Sequence, residues 1–162
     1  MNRFINNWFI NNRELIKNLA INTGTTLNPT YTKICTTSEV EVATDLETKD
    51  FYVFCDALKR QIVTGASVGL NGTLKLDVNN DGDIALLDKV HTLIGEGEIS
   101  QFTNVEIEFD LLSGVNNGVL EYTTYRATAT LSLSDIGGNA EDEGEMSFEL
   151  TLIGTATEVA SA

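Results

Sequence analysis

The chain has 162 residues, enough for one domain with a sizeable core, and 42% of them are apolar. Ten basic against twenty-four acidic residues leave a formal charge of −14, which disfavours nucleic-acid binding, because that needs cationic side chains to displace phosphate counterions. The longest unbroken apolar run, Phe51 to Cys55, is far too short to span a bilayer, and the first twenty residues lack the long apolar stretch of a secretory leader.

Residues 3 to 20 read as an amphipathic helix. Phe4, Trp8, Leu15 and Leu19 fall on one side with Ile5, Phe9 and Ile16 beside them, and asparagines cover the other. INTGTTLNPTYT follows as a turn-rich linker with the only proline, Pro29. Residues 1 to 28 are thus expected to form a helical arm. Phe4, Trp8 and Phe9 are its candidate contact residues, docking either on the domain at 29 to 162 or on a neighbouring copy. Cys35 and Cys55 fit no zinc spacing and are expected to be buried thiols.

The segment SEVEVATDLETKDFYVFCDALKRQIV, 38 to 63, reads either as two strands around an exposed charged loop or as partly helical, with a strand assigned at 51 to 55. Beyond it, period-two alternation dominates. Val68, Leu70, Leu74 and Leu76 alternate with small or polar residues. Val105, Ile107, Phe109 and Leu111 alternate with Glu106, Glu108 and Asp110. Tyr125, Ala127, Ala129, Leu131 and Leu133 share one face of a third segment, and Met146, Phe148, Leu150 and Leu152 one face of a fourth. Such strands are half-buried, and short polar connections favour antiparallel pairing. GVNNG at 114 to 118 is a hairpin turn.

One helix interrupts the strands, IALLDKVHTLI at 84 to 94. Ile84, Leu87, His91 and Ile94 lie along its stripe, Asp81 and Asp83 precede it where carboxylates complement the helix dipole, and Gly95 ends it. The preceding DVNNDGDIALLD places Asp77, Asn79, Asp81, Gly82, Ile84 and Asp88 at the spacing of a calcium loop and resembles a dockerin repeat. Dockerins carry two such segments and this chain one. A strand-to-helix turn with an acidic cap accounts for the same letters, so capping is expected and calcium is the alternative.

No catalytic constellation emerges. His91, the only histidine, sits on the apolar stripe, no phosphate-cradling glycine loop is present, and Glu106, Glu108 and Asp110 form one uniformly wet stripe. The expectation is a protein that is not an enzyme and has no cofactor, calcium aside.

The ordered pattern VTGASVGLNGTLKLD, NNDGDIALLDKVHTLI, VEIEFDLL, YTTYRATATLSLS and EGEMSFELTLIGTATEV, over about residues 30 to 158, resembles bacteriophage major tail proteins, the tail tube subunits. The resemblance implies an antiparallel β-sandwich or barrel with one flanking helix. It also implies a virion role: homo-oligomeric rings, usually of six, stack into a tube, meet other tail proteins and pass DNA through a channel without binding it specifically. Glu106, Glu108 and Asp110, with Glu145 and Glu149, are the candidate lumen lining. Outside solvent is the competing assignment for the first three, and Arg126 is placed to pair with one of them.

Overall fold

Most of the chain does become sheet. A computed structural model describes residues 12–34, 37–52, 59–137, 140–141 and 143–159. Its elements in chain order are α1 (Asn12–Leu15), β1 (Ile16–Asn22), β2 (Tyr31–Lys33), β3 (Thr37–Tyr52), β4 (Lys59–Lys75), α2 (Asp81–Glu96), α3 (Ser100–Thr103), β5 (Val105–Asn116), β6 (Val119–Gly137), β7 (Glu145–Leu152) and β8 (Thr157–Glu158). Every strand pair is antiparallel, in the order β2-β1-β5-β6-β7-β4-β3, with β8 also on β6.

The long strand β6 divides this sheet into two halves. Its first part pairs with β5 as far as the Val105–Ala129 pair, and its second part pairs with β7 from the Ala129–Leu152 pair onward. Ala129, fully buried, is the hinge point. One half is β2-β1-β5 with the start of β6 and with β8; the other is the end of β6 with β7, β4 and β3. Ile21, Ile107 and Phe109 from the first half and Leu70, Leu74, Met146 and Leu150 from the second belong to one buried cluster.

A single helix cannot cover both halves. Seven strands side by side would run roughly 30 Å, whereas a helix is about 10 Å wide. Only Leu86 of α2 is a buried apolar residue, with Ala85, Leu87 and Val90 packed on the cluster's margin. The two halves therefore cover each other, and β1 and β3, from opposite sides of the strand order, come into contact. The result is a curled, sandwich-like sheet that does not close into a barrel.

Three local features differ from the sequence-based expectation. Residues 16–22 are strand, so the helix expected over 3 to 20 is confined, among its described residues, to α1. The i, i+3 spacing of Ile16 and Leu19 imitates a helix because β1 carries a bulge. Asn18 adopts a left-handed φ of 56° and the register breaks between Lys17 and Ala20, which turns both Ile16 and Leu19 inward. Phe4, Trp8 and Phe9 lie outside the described residues, as do Cys35 and Cys55.

Of the two readings of 38 to 63, two strands is the one found, but the charged stretch 38 to 50 is itself strand. It is most of β3, paired with β4 from Thr37–Leu74 to Tyr52–Lys59. Helix α2 begins and ends beyond the expected limits. Asn80, not an aspartate, is its N-cap, and Gly97 at φ 65° ends it by donating its N–H to the Leu93 carbonyl. The 114–118 hairpin is found as expected, with Asn117 and Gly118 at φ 52° and 77° making the turn.

Candidate functional site

The 77–88 loop is held together by its own backbone. Asp77 Oδ1 accepts from Asn79 N at 2.9 Å, and Asn80 Oδ1 accepts from Gly82 N at 2.8 Å and Asp83 N at 3.3 Å. Asp83 is fully buried and its Oδ2 accepts from Asp77 N at 3.1 Å, tying the end of the strand to the start of the helix. Asp81 and Asp88 are exposed on α2. Among the described residues no group of three or more His, Cys, Asp or Glu gathers where it could hold a metal. Asn80 and Asp83 thus cap and clasp the turn.

His91 is exposed, because α2 turns its apolar stripe one position away from the expected one, onto Leu86 and Val90. Two shallow grooves, of about 420 and 290 Å³, contain no histidine.

The candidate acids all lie on wet faces, but on different halves of the curled sheet. Glu106, Glu108 and Asp110 alternate with the buried Val105, Ile107 and Phe109 on β5. Each is engaged. Glu106 accepts from Asn22 Nδ2 at 2.8 Å, and Asp110 accepts from Asn18 Nδ2 at 2.8 Å and Thr124 Oγ1 at 2.5 Å. Glu108 holds Arg126 at 2.7 Å, and the Arg126 guanidinium lies 4.6 Å from the Tyr31 ring centroid. The Glu108 hydrogen bond raises the Arg126 pKa further, while burial, more than any charge, raises that of the Tyr31 phenol. This stripe ties β1, β2, β5 and β6 together laterally.

Glu145 and Glu149 lie on β7, exposed, and alternate with Met146, Phe148 and Leu150. Cross-strand pairs share a face, so Glu149 stands between Asn71 of β4 and Ser132 of β6, and Asn71 in turn pairs with Glu41 of β3. This second face is a field of small hydroxyls, Ser132, Ser134 and Ser147, among carboxylates.

The edges of the second half are open. The outer edge of β3 has no strand beside it among the described residues, and neither does the side of β6 facing away from β7 once β5 ends at Ala129. Ile153 and Val159 donate to the Thr128 and Thr124 carbonyls on the β7–β8 side, so the backbone groups of the odd residues Leu131 and Leu133 point to the open edge. The first half, by contrast, is finished by the three residues of β2 and the two of β8. The β3–β4 hairpin also outruns its sheet. β4 pairs with β7 only from Gly69 to Lys75, leaving 44–52 and 59–68 as a two-stranded arm beyond the edge of β7. A long exposed edge is the surface on which sheets add strands.

These edges escaped the sequence reading, although one signal was there. Val40, Val42 and Leu46 alternate with Glu41, Asp45 and Glu47, a strand pattern masked by its density of charge.

No protein-family model matches the chain, and no curated protein does. Solved structures do. A chain from the tail of an empty GTA (gene transfer agent) particle, with C6 symmetry, superposes with a TM-score of 0.55 at 15% identity, covering 94% of this chain and all of that one. A chain of the SPP1 tail tube reaches 0.59 at 10% identity over 91% of this chain and 78% of its own. One from the sheath-tube complex of an extracellular contractile injection system, in its extended state, reaches 0.51 at 12% identity over 95% and 93%. The fold expected from the sequence resemblance is the fold found: this chain is built like the chains of tails and tail tubes.

Proposed function

We propose that this chain is a tail tube subunit, a structural virion protein whose copies close into rings and stack into the tube of a phage-like tail. The observation that carries the reading is the four-stranded half β6-β7-β4-β3 with both edges open. Its strands alternate in direction, β6 and β4 one way, β7 and β3 the other. β3 of one copy laid beside β6 of the next is then antiparallel again, so the alternation continues around a ring and removes every edge. Six copies, the symmetry named for the GTA tail, make a barrel roughly 40 Å across between backbones.

In that ring the wet face of this half lines the lumen. Glu41, Glu145 and Glu149 repel phosphates, and the lysine opposite Glu145, Lys75, is engaged by Glu143 at 3.4 Å. DNA passes without specific binding. Glu106, Glu108 and Asp110 face the other way, and their work is to hold the first half together. The arm extends past the ring's own sheet towards the next ring and other tail proteins. No catalytic step and no cofactor enter this role.

Negative-stain microscopy of the purified protein across a concentration series tests the reading. Rings or tubes are expected. A chain that sediments as a monomer at every concentration, with only isolated particles on the grid, would refute it.

A further inference from the structure

The arm has two sides, and the one that continues the core face carries exposed apolar residues. On β3 the core-facing parity runs Val42, Thr44, Leu46, and on β4 Val68 pairs with Thr44 and Val63 with Thr48. Near the sheet these positions roof the core, as at Leu70 and Leu74. Farther out the parity continues while the opposing half-sheet does not. Val42 is 38% exposed, and Leu46 and Val63 are 61% exposed. A second bare apolar group lies at the far end of α2 and just past it, where Leu93, Ile94 and Ile99 are 41%, 79% and 63% exposed.

We infer that these two surfaces cover each other between neighbouring copies: the underside of one arm packs on the Leu93–Ile94–Ile99 end of the next copy's α2. The inference rests on the ring reading and deepens it. The short helix α3 follows Ile99 directly and contacts β6. It stands where β5 ends and the open edge of β6 begins. A β3 strand added to that edge therefore continues the core side of β6, Leu131 and Leu133, with its own Val42 and Leu46. The segment already at that edge is α3, with Ile99 immediately before it and the end of α2 just upstream in the chain. Strand addition and apolar contact are satisfied by one movement. Together the two surfaces form a second small core spanning two subunits.

Disulfide trapping tests this in a Cys35→Ser, Cys55→Ser background that still assembles. Leu46→Cys combined with Ile94→Cys, or Val63→Cys with Ile99→Cys, should give a ladder of covalent oligomers on non-reducing gels after mild oxidation of tubes, and each single substitution should stop at dimers or monomers. Tubes that form normally and yield no ladder from either pair would overturn the inference while leaving the ring reading intact. Failure of the unsubstituted protein to form rings would refute the ring reading and with it this contact. Trp8→Cys with Ile94→Cys serves as the competing trap: closure within a single chain would show that the N-terminal segment occupies α2, and would also overturn the inference. As an independent readout, Ile94→Asp should raise the concentration needed for assembly at least tenfold without lowering the melting temperature of the dilute subunit. An unchanged assembly threshold would count against the contact.

Discussion

Replacing Asn80 with alanine separates the capping and calcium readings of the 77–88 loop, because Asn80 is the cap and stands at none of the loop's liganding positions. Its Oδ1 accepts from two backbone N–H groups at the start of α2, Gly82 N at 2.8 Å and Asp83 N at 3.3 Å. Alanine leaves both without that acceptor at a helix start that is partly buried against β2. Losing such a cap costs about 1–2 kcal/mol. For a domain of this size each kcal/mol moves the melting point by about 2–4 °C, so the expected fall is about 2–8 °C. The assay is thermal unfolding followed by circular dichroism, at a concentration where the subunit is not assembled, since association would itself raise the midpoint. It is repeated with millimolar calcium and with a chelator. The expected result is the same fall in all three conditions, and no effect of calcium on the parent. A calcium-dependent rise in the parent, abolished by Asp77→Ala or Asp88→Ala but not by Asn80→Ala, would refute the capping account and restore a metal site.

Other expectations follow from the same geometry. Gly82→Ala should destabilise by about 1–3 kcal/mol, because a Cβ there would strike the main-chain carbonyl of Lys33; unchanged stability would mean that β2 does not press on the helix start. Leu74→Ala, at a fully buried position between the halves, should cost about 2–5 kcal/mol and lower the urea midpoint at constant slope. Charge reversal at Glu145 and Glu149 should slow DNA ejection from assembled particles while tubes still form. The same change at Glu106 should leave ejection alone, and the opposite pattern would exchange lumen and exterior. Arg126→Ala should leave the melting temperature almost unchanged, since Arg126 is 45% exposed in its ion pair with Glu108; a large fall would mean that the pair is not screened by solvent.

Much of the fold was legible in the sequence because alternation survives wherever one face of a strand is buried. Val105, Ile107 and Phe109, or Met146, Phe148 and Leu150, declare their inward parity in letters alone. Two stretches misled for opposite reasons. In β1 the bulge at Asn18 turns inward two residues three positions apart, which is the spacing of a helix. In β3 the strand leaves the core, so nothing demands a full apolar face, and Glu41, Asp45 and Glu47 outweigh Val42 and Leu46. The candidate acids could be named but not sorted. That Glu108 meets Arg126 while Glu149 stands among serines depends on registers between segments far apart in the chain. The open edges were less accessible still, because an edge is a property of strand order, and strand order leaves no local trace.

In the proposed tube, β3 of one copy completes the sheet of the next along β6. A helical reconstruction of assembled tubes at a resolution that separates strands measures it directly. The account requires an antiparallel ladder between the outer edge of β3 and the Leu131–Leu133 stretch of β6 in the adjacent copy, with Glu149 facing the channel. Tubes in which that edge of β3 stays bare, or in which the Glu108–Arg126 face lines the channel instead, would contradict it.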